Sequence, residues 1–345
     1  MAIKFGTSSI SNVMLGSTQV SKVYIGSSLV WEYIVSLINY ALGSNGSTAQ
    51  ASSVNNPLYE PSNCINGNRS GSGWLDGTGG WTSDTPLPQW IQVDFPAIRS
   101  ISEMDVFTIQ DNYSSPSEPT ESMTFSLYGV TSCSVQYWNG SAWTNLGSSS
   151  GDYHVWKKYT FGAVVTQGIR VNVTGSTDGY ARLTEVEAWG TIPSGNYAMS
   201  DNGATASASS TFSTFSASYA NNGDRFGKGV VDGIGIWTGN NSLPAWLEID
   251  FSSSKTISEI DVYTVQDDYS NPTYVTESTT FSLYGITNFS IQYWDGASWQ
   301  TIQTVTGNNK VWKKFTFSPI TTSKIRCYIT ATTDGYPRIV EMEAW

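Results

Sequence analysis

A domain-sized internal repeat constrains this chain more than any other feature of its sequence. The residues from Trp90 to Trp189 match those from Trp246 to Trp345 without a gap, at the constant offset of 156 positions that separates Trp90 from Trp246. A period of this length is too long for a solenoid repeat or a propeller blade, but it suits a whole domain with its own core. The sequence therefore predicts a tandem duplication, in which one structural unit is used twice.

The composition favours β-structure and excludes some classes of partner. Charged residues make up only 13% of the chain and aromatic residues another 13%, with abundant glycine. Such a composition is typical of β-sandwiches rather than helical proteins. The formal net charge is −11, and no basic stripe is present, so we expect neither nucleic acid nor an anionic membrane surface as a partner.

The three cysteines, Cys64, Cys133 and Cys327, have no cysteine at the matched position of the other repeat. An odd number at unmatched positions argues against a disulfide framework and favours buried free thiols. The start of the chain lacks the apolar region of a signal peptide. The apolar stretch Leu29–Leu42 is too short and too polar to span a bilayer. We therefore expect synthesis and folding in a reducing cytoplasm.

Residues 1–36 differ from the rest of the chain. Ile10–Ser17 recurs as Val20–Ser27, with β-branched residues between Gly-Ser turns. This pattern predicts short strands joined by tight turns, in a segment too small to bury a core of its own. We interpret 1–36 as a docking or oligomerisation segment, followed by β-sandwich domains at 37–190 and 195–345.

Within the repeats, strands are predicted wherever apolar and β-branched residues cluster between turn signals. Asn139-Gly140 lies between two such runs and predicts a hairpin with a type I′ turn, which Asp295-Gly296 repeats in the second copy. The other predicted strands are Trp90–Phe95, Ile169–Val173 and Glu185–Trp189. Helical periodicity is weak throughout, so the sequence predicts an all-β chain with two tandem sandwiches.

The order of these motifs resembles a known family. The motifs are Asn39-Tyr-Ala, the Asn66-Gly-Asn-Arg turn, Trp81, Trp90–Phe95, the Tyr-Trp-Asn-Gly hairpin, Ile169-Arg-Val and Glu185–Trp189. Both repeats resemble the discoidin, or coagulation factor 5/8 type C, domain of the galactose-binding-like superfamily, and in the Asn-Gly-Asn-Arg turn also fucose-binding lectins. The resemblance implies jelly-roll sandwiches that often hold a structural calcium ion and bind glycans through loops at one end. Residues 23–32 resemble segments that open phage virion proteins.

The resemblance also implies a ligand set for calcium, which prefers several oxygen ligands. The implied ligands in the two repeats are Asn66, Asn68 and Glu185, and Asn222, Asp224 and Glu341. Asn66 and Asn222 occupy positions where the family usually has aspartate, which weakens the expected affinity. The alternative is that both asparagines only shape a turn, as such residues often do.

Candidate glycan-binding residues lie in the loops. Trp74 occupies a glycine-rich loop, has valine as its counterpart, and is a candidate sugar platform of the first repeat. The loop after one strand carries Asp111 and Tyr113, and its copy carries Asp267 and Tyr269. The aspartates can accept hydrogen bonds from sugar hydroxyls. The alternative is a structural cap, in which each carboxylate holds backbone amides.

Two further positions enter through the resemblance. Asp84 and Asn240 lie near the place where fucose-binding relatives have a histidine that contacts the sugar. Those relatives also bring arginines to the sugar from the loop that here begins at Gln110, and this chain has none there, so fucose is not the expected ligand.

Most other conspicuous side chains are better explained by structure. All of the fourteen tryptophans except Trp31 and Trp74 occupy matched positions, which favours core packing. Arg170 and its copy Arg326 lie within strands, and we expect them to form partly buried ion pairs with glutamates such as Glu185 or Glu187 and their copies.

No feature of the sequence indicates catalysis. The single histidine, His154, has a lysine as its counterpart, and neither a nucleophile–base signature nor an HExxH motif is present. We therefore expect a protein that is not an enzyme and has no catalytic residues. Calcium is the one cofactor considered.

These observations combine into one hypothesis about function. We expect a phage virion protein, made in the host cytoplasm, that binds glycans through its two domains. Through residues 1–36 it would bind other virion proteins and assemble as a homo-oligomer. One alternative is a decoration or cement protein with degenerate sugar sites. Another is the binding module of a secreted glycan-degrading system.

Overall fold

The computed structural model describes residues 37–193 and 195–345, and the backbone of four short strands before them. These strands form two antiparallel pairs: β1 (Met14–Leu15) with β2 (Thr18–Gln19), and β3 (Lys22–Ile25) with β4 (Ser28–Glu32). The pairs agree with the predicted β-rich N-terminal segment. The rest of 1–36 lies outside the described residues, and its docking role stays a prediction. Met1–Ile38 and Asn39–Trp345 are separate compact units.

The first repeat folds as a β-sandwich. Its strands are β5 (Ile38–Asn39), β6 (Thr48–Ala51), β7 (Trp81–Thr82), β8 (Gln89–Thr108), β9 (Val130–Trp138), β10 (Trp143–Ser149), β11 (Trp156–Ser176) and β12 (Arg182–Thr191). Short 3-10 helices lie at Gly43–Asn45, Pro61–Ile65 and Trp74–Asp76. The strand order β10–β9–β11–β8–β12 is antiparallel, with β6 also paired to β8 and β7 to β12.

The two longest strands, β8 and β11, build both layers of this sandwich. One half of β8 pairs with β6 and the other half with β12, while β11 runs along its whole length. The register shifts between Thr160 and Val164, which marks a bulge where the ladder bends. Ile91, Val93 and Phe95 alternate along β8 and are buried in the core, as the two-residue period of a strand requires.

The second repeat has the same architecture. Its strands are β13 (Thr205–Ala208), β14 (Trp237–Thr238), β15 (Ala245–Tyr263), β16 (Ile286–Trp294), β17 (Trp299–Val305), β18 (Trp312–Thr332), β19 (Arg338–Ile339) and β20 (Glu341–Ala344). Its 3-10 helices are Ser200–Asn202, Ala217–Asn221 and Val230–Asp232. A separate core contains Trp237, Phe251 and Phe289. The predicted all-β fold with two jelly-roll sandwiches is confirmed.

The predicted type I′ hairpin is wrong in detail. Trp138 pairs directly with Trp143, so the connection has four residues instead of two. The Asn139 side chain accepts hydrogen bonds from the backbone N–H groups of Ser141 and Ala142, each at 2.9 Å. The asparagine therefore acts through its side-chain oxygen, which closes a wider turn.

The two sandwiches pack against each other through unlike surfaces. Tyr274 of the second repeat lies between Trp138 and Trp143 of the first, with ring centroids 4.8 and 5.3 Å away. Its hydroxyl donates a 2.5 Å hydrogen bond to Asp94. Nearby, the Gln167 side chain donates to Asp224 across the boundary at 2.8 Å. Apolar and polar contacts thus join the two domains.

The cysteines and the helices agree with a chain that has neither disulfides nor helical membrane spans in its described part. Cys64, Cys133 and Cys327 are free and buried. Among the residues that the structure describes, no helix is long and apolar enough to cross a membrane.

Candidate functional site

The Asn-Gly-Asn-Arg turn of the first repeat lies against a glutamate of the last strand. Glu185, on β12, is fully buried. Its Oε1 accepts a 3.0 Å hydrogen bond from the backbone N–H of Gly67, whereas its Oε2 is buried without a partner. Burial raises the pKa of Glu185 to about 8, because a charged carboxylate loses its hydration there.

The second repeat reproduces this arrangement. Glu341 is fully buried, accepts from the Gly223 N–H at 3.0 Å, and also has an Oε2 without a partner. In both copies the first asparagine of the turn closes an Asx turn, since Asn66 and Asn222 each accept the N–H two residues on at 2.8 Å. An unpartnered buried oxygen at the same place in both repeats is the feature that a bound cation would satisfy.

Two of the six predicted calcium ligands direct their side chains elsewhere. The Asn68 side-chain oxygen accepts hydrogen bonds from Ser70 and Ser72 of its own loop. Asp224 accepts from Gln167 and from the backbone N–H groups of Phe226 and Lys228. Loop closure and the domain boundary thus use the side-chain oxygens of these two residues, which leaves them only a backbone carbonyl to offer to an ion.

What remains for a calcium ion in each repeat is one buried carboxylate and one amide oxygen. These are Glu185 with Asn66, and Glu341 with Asn222. In the described part of the chain, no group of three or more His, Cys, Asp or Glu side chains comes together as a metal centre. In each repeat the donor set thus offers calcium the orphaned glutamate oxygen and the amide oxygen of the turn asparagine, and any further ligands must be neutral oxygens.

The arginine of the turn was missed as an ion-pair partner. Arg69 binds both oxygens of Glu187, at 2.7 and 2.9 Å, and Arg225 binds Glu343 in the same way at 2.8 and 2.6 Å. The expectation that Arg170 would pair with these glutamates was wrong, because Arg170 lies on the outer face of the sheet. There it donates to the side-chain oxygen of Gln92 at 2.9 Å.

Asp111 and Asp267 act as structural caps, which was the alternative interpretation. Asp111 accepts the backbone N–H groups of Ser126 and Leu127 at 2.9 Å, and also the Ser126 hydroxyl. Asp267 makes the matched contacts. Burial acts to raise the pKa of Asp111, but these hydrogen bonds outweigh it and hold the pKa below its usual value.

Trp74 is a packing residue. Only 6% of it is exposed, and its ring lies 5.2 Å from that of Tyr59. A Cβ at Gly80 would lie 2.7 Å from the Trp74 ring. A buried indole has no open face for a sugar, so the sugar-platform expectation is wrong, since the loop folds inward around the ring.

At the same place in the second repeat the loops form an open cleft of about 550 Å³. Its lining residues come from several loops at one end of the sandwich and include Phe212, Phe215, Val230, Ile236, Tyr269, Tyr284, Tyr336 and Arg338. Tyr269 and Phe212 are 39% and 42% exposed. The cleft therefore offers accessible aromatic faces.

One ion pair lies among these aromatic rings. Arg338 pairs with Asp334 at 2.9 Å and lies 5.3 and 5.5 Å from the ring centroids of Tyr336 and Tyr284. Tyr269 packs edge-on against Tyr284, at a centroid distance of 5.5 Å. A guanidinium beside a carboxylate on an aromatic wall provides hydrogen-bond donors and acceptors next to an apolar surface.

The remaining predicted glycan contacts lie apart from the lining of this cleft. Asp84 is exposed and accepts a 3.3 Å hydrogen bond from Asn55. Asn240 is exposed, and its backbone N–H donates a 3.0 Å hydrogen bond to the hydroxyl of Ser210. Tyr113 is half-buried against Tyr128 in the first repeat. Of the predicted glycan-binding residues, the structure brings Tyr269 alone into the cleft.

The sequence contained a signal for the missed cleft residues. Asp178-Gly-Tyr and Asp334-Gly-Tyr recur at matched positions, each followed two residues later by an arginine. The glycine has a positive φ in both copies, 87° at Gly179 and 90° at Gly335. This tight turn places the tyrosine and the arginine on one side of the loop, beside the aspartate.

Comparison with known proteins supports the fold of the second repeat. Residues 219–327 match the family model described as F5/8 type C, NedA-like, galactose-binding domain. This stretch of the second repeat is therefore similar to an F5/8 type C domain. No curated protein is similar enough to the chain to count as a match.

Several solved structures are similar to the chain at low identity. A fucolectin from striped bass (Morone saxatilis) serum is 16% identical, with 90% of this chain and 98% of that one covered and a TM-score of 0.37. The family 32 module of Clostridium perfringens NanJ, in complex with galactose, is 22% identical, with 43% and 96% covered and a TM-score of 0.33. A Streptococcus pneumoniae fucose-binding module is 16% identical, with 44% and 96% covered and a TM-score of 0.34.

Proposed function

We propose that this chain is a non-enzymatic glycan-binding protein whose principal site is the loop cleft of the second repeat. The observation that carries the proposal is the combination of exposed aromatic rings with Arg338 in the lining of a 550 Å³ cleft, where Asp334 pairs with the guanidinium of Arg338. Small-ligand sites are typically apolar clefts with a few convergent polar groups. The match of residues 219–327 to a galactose-binding domain adds support.

The chemistry of a sugar suits this cleft. The C–H face of a pyranose is apolar and packs on aromatic rings such as Tyr269 and Phe212. Its hydroxyls are both donors and acceptors, so they can bind the guanidinium of Arg338 and the carboxylate of Asp334. The F5/8 type C fold places these groups on loops, where a rigid sandwich supports a variable site.

The decisive experiment is a glycan array with the wild-type chain and two matched variants. Arg338→Ala removes the charged group of the cleft, and Arg182→Ala removes its copy in the first repeat. We expect Arg338→Ala to lose about tenfold or more in affinity for at least one of the bound sugars, as loss of one charge-assisted hydrogen bond implies. Equal binding by wild type and Arg338→Ala would contradict the proposal.

We also propose that the protein works as part of a phage virion, with residues 1–36 as its attachment segment. The free, buried thiols of Cys64, Cys133 and Cys327 support folding in a reducing cytoplasm. A variant that lacks 1–36 should keep two folded domains but lose incorporation into particles and self-association. Normal assembly of this variant would contradict the docking role. An array without any bound sugar would favour a purely structural decoration protein.

A structural calcium ion in each repeat is part of this proposal. Asn66 with Glu185, and Asn222 with Glu341, would hold it. When bound, the ion would supply a positive charge to the orphaned glutamate oxygen. It would thereby cross-link the turn to the last strand of each sandwich, which stabilises the domain rather than contacting the sugar.

A further inference from the structure

The outer sheet face of the first sandwich contains an aromatic cradle that is already filled. We define this first cradle as Trp138, Trp143 and Arg170. The two indoles lie 5.6 Å apart at an interplanar angle of 64°, and the Arg170 guanidinium stacks 4.2 Å from the Trp143 centroid. The six-membered ring of Tyr274, from the second sandwich, lies against both indoles.

The second sandwich carries the same cradle, formed by Trp294, Trp299 and Arg326. Its indoles are also 5.6 Å apart at 64°, and Arg326 stacks 4.3 Å from the Trp299 centroid. Its three side chains are half-buried, as are those of the first cradle. Among the described residues, no third aromatic ring packs on Trp294 or Trp299. Within the described part of the chain, the second cradle therefore has the geometry of the first but no aromatic ring in it. Its walls are already in place, so binding a ring need not order them.

The two cradles differ at the edge where the tyrosine hydroxyl lies. In the first, Gly168 leaves this edge open, and a Cβ there would collide with the hydroxyl of Tyr274. In the second, the matched residue is Lys324, which pairs with Glu248 at 3.0 Å and with Asp250 at 3.2 Å. The second cradle thus keeps its apolar walls. At its edge it has a charged lysine with two carboxylates, where the first cradle has the open space beside Gly168.

This difference selects the kind of ring that fits. A phenol ring would bring its edge against Lys324 and the two carboxylates, where it could satisfy only one of them. A pyranose ring has an apolar face for Trp294 and Trp299 and hydroxyls along its edge, which can bind the ammonium and the carboxylates together. Two cations, Lys324 and Arg326, are balanced by two carboxylates, so a neutral sugar meets no net repulsion.

We propose that Trp294, Trp299 and Arg326, with Lys324 at the rim, form a second binding site for a neutral pyranose on the sheet face of the second sandwich. This site is separate from the loop cleft and does not rest on it. Both cradles come from the same repeated sequence. The first is used to join the domains, which leaves the second for a ligand.

A glycan array of neutral hexopyranosides tests this site with the full chain. Trp299→Ala removes one wall of the cradle, Lys324→Ala alters its rim, and Arg338→Ala disables only the loop cleft. We expect some sugars to bind about tenfold more weakly to Trp299→Ala, and severalfold more weakly to Lys324→Ala, while Arg338→Ala binds them unchanged. Trp299→Phe should restore most of the affinity, since it keeps a ring at that wall.

Each result decides between the two sites. If every sugar binds Trp299→Ala and Lys324→Ala as tightly as wild type, the cradle is not a sugar site, and losses in Arg338→Ala alone then support the cleft. Losses in the cradle variants with Arg338→Ala unchanged support the cradle against the cleft. A wild-type chain without any bound sugar overturns both. Should Trp299→Ala fail to fold, its melting curve will show this and Lys324→Ala decides.

Discussion

The loop ends of the two repeats show how one scaffold yields a packed surface in one copy and an open cleft in the other. In the first repeat the indole of Trp74 lies over Gly80 and beside Tyr59. In the second, Val230 and Ile236 occupy the positions of Trp74 and Gly80 and line the cleft. The first repeat thus pairs a large side chain with a glycine, and the second has two side chains of intermediate size. This exchange conserves the strands of the sandwich but changes the shape of its loop surface.

The outer sheet faces differ in a second way. The first sandwich combines Gly168 with its cradle and accepts Tyr274, whereas the second has Lys324 at the matched position. The residue that matches Tyr274 in the first repeat is Glu118. The tandem pair therefore makes this contact once. The copy of the cradle has Lys324 instead of the glycine, and the copy of the tyrosine loop has Glu118 instead of Tyr274, so these two copies are not complementary in the same way. If both surfaces had been kept, one copy of the protein could bind the next head to tail without limit, and the changed surfaces prevent this.

The largest expected effect comes from Trp74. Because its ring is buried, Trp74→Ala should lower the free energy of unfolding by about 3–5 kcal/mol. The matched Val230→Ala, at a half-buried cleft wall, should cost about 1 kcal/mol. Chemical denaturation of both variants checks this. A Trp74→Ala protein as stable as wild type would show that the indole is not part of the packing.

Calcium should affect both repeats alike. If an ion binds at each glutamate, calcium at a hundred times its Kd stabilises each domain by about 2.7 kcal/mol. A chelator should then lower the melting temperature. Glu185→Gln and Glu341→Gln should each abolish the part of this change that comes from its own repeat. Asp224→Asn should leave the response unchanged, because its carboxylate faces the domain boundary. A melting curve that ignores both chelator and calcium would remove the ion from both turns.

The smallest expected effect is on the contact between the domains. Gly168→Ala should cost about 1–3 kcal/mol, the usual range for overpacking, because the new methyl group displaces the Tyr274 hydroxyl from Asp94. The matched Lys324→Ala removes only half-buried surface ion pairs and should cost less than about 1 kcal/mol. Calorimetry should show two separated unfolding transitions for Gly168→Ala. A single transition identical to wild type would mean that Tyr274 does not couple the domains.

Much of the fold followed from local sequence. The alternating apolar residues of β8 and the glycine turns act over short distances along the chain, and the repeat shows that their pattern occurs twice. The sequence alone therefore predicted two β-sandwiches. The family resemblance located the turn at Asn66 and the glutamate at 185, and the structure places both together. The sequence did not decide whether Asp111 contacts a sugar or caps a loop, because both roles use the same carboxylate.

Tertiary structure decided the rest, since burial and side-chain partners depend on residues distant in sequence. Trp74 is packed because Tyr59 and the glycine at 80 surround it. Arg69, not Arg170, binds Glu187, because the turn brings its guanidinium to the far strand 118 positions away. The filled and the unfilled cradle have the same tryptophans and arginine in sequence. The exchange of Gly168 for Lys324 at their edge is visible in the sequence. Only the packing of the two domains shows that Tyr274 fills the first cradle.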